Sequence, residues 1–186
     1  MASTYPTSLD AFTNPTSSDL LTSPSHSQQH SDINDAMEAV QTKLAIGNTV
    51  IGTYTAYTPT FVSGVTVGNG VFTAHYGRVN DFVHYYGKFV FGSTSAITGA
   101  VTLSLPIAVS TGFVSTNVFG NTILQDVSSG VLYNGVARGA TLSTTVALKC
   151  FAAYSTYAFE ASISSTVPMT WASPDIMFWN LYYEAA

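Results

Sequence analysis

Charge is what this chain has least of. Only 8% of its 186 residues are charged, five basic and ten acidic, where an average soluble domain carries about 25%. The five bases do not cluster, which argues against a nucleic-acid footprint. There is one cysteine, Cys150. It excludes an internal disulfide and a cysteine-based metal cluster. Its setting, Ala147-Leu148-Lys149-Cys150-Phe151-Ala152, reads as strand, so a buried, inert thiol is expected. The one Asn-x-Thr triplet, Asn14-Pro15-Thr16, is blocked as a glycosylation site by its proline. The opening Met1-Ala2-Ser3-Thr4 has no basic region and no apolar core, so no signal peptide is expected. Residues 89–125 lack charge, but Gly, Ser, Thr and Pro interrupt them every few positions. A membrane-spanning helix needs about 20 mainly apolar residues, so no membrane span is expected.

What replaces charge is hydroxyl and aromatic. Ser and Thr make up about a quarter of the chain, with 11 Tyr and 11 Phe. Val, Thr, Tyr and Phe suit a pleated, half-buried surface, so composition favours β structure. A monomer ordinarily covers itself with charge of both signs. Here either a hydroxyl-rich surface takes over that work, or much of the surface is covered by other subunits, the pattern of low charge and many aromatics typical of interfaces.

Three segments follow one another. Residues 1–31 read as an extended arm, broken by Pro6, Pro15 and Pro24 and rich in Ser, Thr, Asn and Gln. Such a composition cannot bury a core of its own. Its scattered apolar residues, Tyr5, Leu9, Phe12, Leu20 and Leu21, are suited to anchoring on a neighbouring protein; the alternative is a mobile tail. Residues 32–47 read as a short helix, capped by Ser31 or Asp32 and ended by Gly47-Asn48. Ile33, Met37, Val40 and Leu44 recur at four, three and four, the spacing of an a/d seam. That stripe predicts either a short trimeric coiled coil or a helix lying on its own β domain. Residues 48–186 read as β. Strands are expected at 50–57, 60–67, 71–79, 82–91, 97–105, 113–119, 121–127, 130–137, 140–149, 150–163 (broken near Ser155) and 176–183. Gly68-Asn69-Gly70 is a hairpin turn. Asn80-Asp81 is a second turn, and in the strand after it Phe82, His84, Tyr86 and Lys88 share one face; Val83, Tyr85, Gly87, Phe89 and Phe91 share the other. Many short strands at this spacing predict an antiparallel β-sandwich or jelly-roll-like domain.

The chemistry-bearing residues do not form a catalytic pattern. His75, His84 and Asp81 are near one another in sequence, but no nucleophile elbow accompanies them. Asp126, Glu160, Asp175 and Glu184 lack the motif of a paired-carboxylate site. His26 and His30 would share a helix face only if the helix began early, and Ser23-Pro24-Ser25 argues that it does not; no metal and no cofactor are expected. Tyr54, Tyr57, Tyr85, Tyr86, Trp171 and Trp179 offer rings that stack on sugars, or that simply fill a core.

Two series of short motifs carry a resemblance. The first is Tyr5-Pro6-Thr7-Ser8-Leu9-Asp10, Phe12-Thr13-Asn14-Pro15-Thr16, Ser23-Pro24-Ser25-His26-Ser27-Gln28-Gln29-His30 and Asn34-Asp35-Ala36-Met37-Glu38-Ala39-Val40-Gln41-Thr42-Lys43-Leu44. It resembles an N-terminal module of tailed-bacteriophage structural proteins. The second runs from Tyr57-Thr58-Pro59-Thr60 through Tyr76-Gly77-Arg78-Val79, Gly92-Ser93-Thr94-Ser95 and Leu103-Ser104-Leu105-Pro106 to Val167-Pro168-Met169-Thr170-Trp171-Ala172 and Tyr183-Glu184-Ala185-Ala186. It resembles a phage appendage domain. Together they imply a non-enzymatic virion protein with a trimeric sandwich domain, made in the bacterial cytoplasm. That module often heads longer tail proteins, whereas here one small domain follows it. This favours a capsid decoration or head-fibre protein, with the major capsid protein or another virion protein as partner. The alternative is a tail appendage that binds host glycans through Tyr54, Tyr57, Trp171 and Trp179.

Overall fold

The computed structural model describes residues 26–44, 54–112, 117–154 and 157–186. The chain divides into two units, residues 1–53 and 54–186. The anchoring residues Tyr5, Leu9, Phe12, Leu20 and Leu21 lie outside the described residues.

In the first unit a single helix, α1, runs from His26 to Leu44. It starts well before the expected Ser31 or Asp32 cap, and those two residues are helix interior. The reason is local. No Pro or Gly occurs between His26 and Leu44, so nothing breaks the backbone ladder. Pro24 and Ser25 are residue types that open helices rather than forbid them. Asp32 accepts a hydrogen bond from Gln28 Nε2 at 2.8 Å, a contact one turn apart. Ile33 and Met37 are exposed on this helix and Val40 is half-buried; Leu44 is its last residue.

The second unit is mainly β and antiparallel. Its strands are β1 (Thr55–Ala56), β2 (Phe61–Thr66), β3 (Val71–Val79), β4 (Phe82–Val90), β5 (Ala96–Ser104), β6 (Asn117–Asp126), β7 (Val131–Gly139), β8 (Thr145–Tyr154), β9 (Tyr157–Ser162) and β10 (Ile176–Glu184). Spatial order along the sheet is β1-β3-β4-β10-β6-β7-β8-β5-β2, with β9 added beside β8. The expected sandwich-like architecture takes the form of one sheet curled into a half-barrel.

Chain connectivity accounts for the curl. β1 and β2 are at opposite ends of the sheet, yet only residues 57–60 separate them. Those residues cross from edge to edge. Tyr57 N donates to Ala74 O of β3 at 2.9 Å, and Thr60 O accepts from Ser104 N of β5 at 2.9 Å. The Tyr57 hydroxyl contacts Ser104 Oγ at 3.0 Å and donates to Leu105 O at 3.2 Å. Phe61 of β2 packs on Phe72 and Phe89 of the other end, with ring centroids 5.0 and 5.1 Å apart. Side chains thus close what the backbone ladder leaves open.

The core fills the concave side. Alternation sets it: Val83, Tyr85 and Phe89 of β4, and Met177, Trp179, Leu181 and Tyr183 of β10, are buried, while the residues between them face outward. Phe119, Leu124, Leu103, Leu148 and Ile163 complete it. Cys150 is buried here as expected, its thiol 3.7 Å from Ala161 O, and burial pushes its pKa up.

Three strand boundaries differ from expectation; one is the expected break between 149 and 150, which is absent because β8 runs unbroken from Thr145 to Tyr154. The segments 121–127 and 117–119 belong to one strand, β6, with a bulge between Val118 and Gly120; residues 113–116 lie outside the described set. Gly120 is not a turn. It is the point where β10 comes closest, since a Cβ there would stand 2.0 Å from Asn180 O. Residues 140–144 are a turn rather than strand, with Leu142 at φ 54°, and their carbonyls are taken by Leu105 N and Val109 N at 2.8 and 3.0 Å. β8 then starts in the main sheet beside β5 and β7 and continues as a separate hairpin with β9. Where it leaves, Thr122 Oγ1 donates to Lys149 O at 2.7 Å. This satisfies a buried hydroxyl that would otherwise be costly.

Candidate functional site

The outward face of β4, β10, β6 and β7 holds a shallow groove of about 640 Å³. Its floor is Gly87 and Trp179, which oppose one another on β4 and β10. Its sides are His84 and Tyr86 of β4, Phe178 and Asn180 of β10, Asn121, Ile123 and Gln125 of β6, and Leu132 of β7. None of these is a carboxylate, a lysine or an arginine. The groove offers rings, aliphatic surface, three primary amides and one imidazole.

The imidazole is held at both nitrogens. His84 Nε2 lies 2.6 Å from Asn180 Oδ1, and His84 Nδ1 lies 2.5 Å from the Tyr54 hydroxyl. An amide oxygen only accepts. A neutral His84 therefore carries its proton on Nε2, and the Tyr54 hydroxyl donates to Nδ1. The ring also stacks on Tyr182, its cross-strand partner, at a centroid distance of 4.4 Å and 5° between planes. Tyr86 and Tyr54 meet edge to face at 5.3 Å, and His75 stacks on Tyr86 at 5.7 Å. This array continues the groove toward β3 as an exposed aromatic shelf. Phe82, Tyr86, Tyr182 and Leu132 are each more than a third exposed.

Of the four residues expected to face glycans, the fold presents one. Tyr54 is 48% exposed and stands on the shelf. Trp179 is 2% exposed and belongs to the core; strand parity puts it on the buried side of β10 with Met177 and Leu181. Tyr57 is half-buried at the barrel closure, its hydroxyl bonded internally. Trp171 is half-buried against Phe91, centroids 4.7 Å apart, and its indole N–H donates to Ser164 O at 3.0 Å. Tyr85 is fully buried, and Tyr86, one residue on, is exposed.

The other chemistry-bearing residues are occupied separately. His75, His84 and Asp81 form no relay, because the Asp81 carboxylate pairs with Arg78 at 3.1 Å and His84 is bound as above. Glu160 is paired with Arg138 at 2.6 Å. Asp126 caps the β6–β7 turn, accepting from Ser128 N at 2.9 Å and Ser129 N at 3.1 Å; the Ser128 and Ser129 donors hold its carboxyl below the usual range. Asp175 is buried and accepts from Val127 N at 3.0 Å and Ala172 N at 2.7 Å. Among the described residues no three His, Cys, Asp or Glu side chains converge as metal ligands, and no helix is long and apolar enough to cross a membrane.

The groove residues Asn121, Ile123, Gln125, Leu132, Phe178 and Asn180 were not legible as a set. The signal was parity within each strand. What joins them is the pairing of β10 between β4 and β6, and that is not written locally. Comparison with protein-family models, curated proteins and solved structures finds no match for this chain.

Proposed function

We propose that the chain is a non-enzymatic structural protein of a tailed-bacteriophage particle: a homotrimeric capsid decoration or head-fibre protein, anchored through its N-terminal arm. The observation that carries this reading is the outward face of β4, β10, β6 and β7, which pairs exposed aromatic and aliphatic side chains with no charge in its groove. Exposed rings and aliphatic side chains gathered on an uncharged face suit contact with other protein. The low overall charge and the motif series of the N-terminal module support the same reading. Each arm alone is a weak anchor, and three arms on one oligomer raise avidity by roughly 10²-fold or more through effective concentration. Counting copies per purified particle tests it. Hundreds of copies fit decoration, a few fit a tail appendage, and none ends the virion reading.

A second reading has its own support. Asn121, Gln125 and Asn180 place amides beside Tyr86 and Phe178 in the groove, the pairing of polar groups with rings that suits an uncharged sugar. On that reading the chain is a tail appendage that binds host-surface glycans. A glycan array with wild type and Asn180→Ala separates the two, since only the glycan reading predicts a hit that the variant loses.

A further inference from the structure

The early start of α1 has a chemical consequence. His26 and His30 lie one turn apart on the same exposed face of the helix, and their Nε2 atoms share a hydrogen bond at 3.1 Å. The rings meet edge to face, with centroids 4.5 Å apart and planes at 80°. We propose that this pair is a two-imidazole site for a divalent transition metal.

Imidazole is a good ligand for copper, nickel and zinc. Two histidines at positions i and i+4 of a helix are a recurrent half of such sites. With each nitrogen about 2.1 Å from an ion, a separation of 3.1 Å subtends about 95° at the metal. That bite suits the right angle of square-planar or octahedral coordination, and histidine pairs of the same spacing also hold zinc, so the order of the ions follows their general affinities. Square-planar and tetragonal nitrogen sites belong to Cu(II) and Ni(II), and Cu(II) stands highest in the affinity order of divalent ions. The site therefore takes Cu²⁺ first, then Ni²⁺, with Zn²⁺ weaker than Cu²⁺. Binding replaces the Nε2–H···Nε2 hydrogen bond: the donor ring moves its proton to Nδ1 through water, both Nε2 lone pairs then face the ion, and water fills the remaining positions. No bond is made or broken beyond coordination. The ion ties positions 26 and 30 together, so binding also stabilises the first turns of a helix that is marginal on its own. This site stands independently of the particle reading.

The test uses the full chain, titrated with Cu²⁺, Ni²⁺ and Zn²⁺ salts by calorimetry and followed by electron paramagnetic resonance and far-ultraviolet circular dichroism. The variants are His26→Gln, His30→Gln, the double variant, and His75→Gln as a control. Both target side chains are exposed, so the fold should survive, and circular dichroism without metal checks that. The expected result is one Cu²⁺ per chain with hyperfine coupling from two imidazole nitrogens. Each single variant should bind at least about 10-fold more weakly, since even outer-shell substitutions cost a metal site 10–100-fold. Zn²⁺ should bind less tightly than Cu²⁺, copper should increase the helical signal, and His75→Gln should behave as wild type. Equal copper affinity in wild type and double variant, or coupling from a single nitrogen, overturns the proposal.

Discussion

Trp179 fills the space that Gly87 leaves. The two oppose one another on β10 and β4, and a Cβ on Gly87 would stand 2.6 Å from Trp179 Cζ2 and 2.5 Å from the Ala74 methyl. The indole is thereby pressed against the backbone of β4 on the core side of the sheet. Gly87→Ala should destabilise the fold by about 1–3 kcal/mol, the usual cost of overpacking a filled core. A lower denaturant midpoint with an unchanged slope is the expected readout. An unchanged midpoint would mean that the indole can shift without loss.

Asp175 joins two loops through backbone donors, Val127 N at 3.0 Å and Ala172 N at 2.7 Å. Asp175→Ala should cost about 2–4 kcal/mol, because two hydrogen bonds to a carboxylate disappear together. Asp175→Asn keeps the shape and one acceptor oxygen, so it should cost less. Thermal melts of the three proteins give the order directly.

Alkali should unfold the protein for a reason that lies in its core. Burial holds the Tyr85 and Tyr183 phenols well above their ordinary range. The Tyr183 hydroxyl donates to Ile107 O at 3.0 Å. The Tyr85 hydroxyl and the Trp179 indole N–H are both buried and outside hydrogen-bond geometry with any partner among the described residues, although the indole is near enough to oppose the Tyr85 shift in part. Both folded-state values are raised, so this contribution to stability is complete below the unfolded tyrosine pKa of about 10 and is lost as pH rises past it. Absorbance titration should show these two phenols ionising only together with unfolding. Early, reversible ionisation of every tyrosine would contradict the burial.

Val40 sits on the stripe with Ile33 and Met37, and Ile33 and Met37 are exposed on α1. Val40→Asp should dissociate the oligomer if that stripe is the trimer seam, since a charge at a seam position is uncompensated in the desolvated interface. On the proposed trimeric reading, light scattering should report a change from trimer to monomer mass. An unchanged trimer mass would remove the helix from the oligomer axis.

The sequence by itself determined the β class, the two faces of β4 and a tight turn at Gly68-Asn69-Gly70 with a positive φ of 55° at Gly68. These depend on turn chemistry and on a period of two, which are local. It also determined that Cys150 would be buried, because a thiol inside an alternating strand follows that strand's phase. It did not determine a hairpin at Gly68-Asn69-Gly70, because β2 on one side of the turn pairs with β5 and β3 on the other pairs with β4. The helix opens at His26 and not at Ser31 or Asp32, because a proline placed before an unbroken run is compatible with a helix start.

Only the tertiary structure decided which aromatics reach the surface. Trp179 and Tyr57 look as fit for sugar stacking as Tyr54 does until the phase of β10 and the crossing at residues 57–60 are fixed. The groove likewise exists because β10, last in the chain, inserts between β4 and β6. Such a pairing is a long-range choice made by the total burial of the curled sheet, and no window of neighbouring residues contains it.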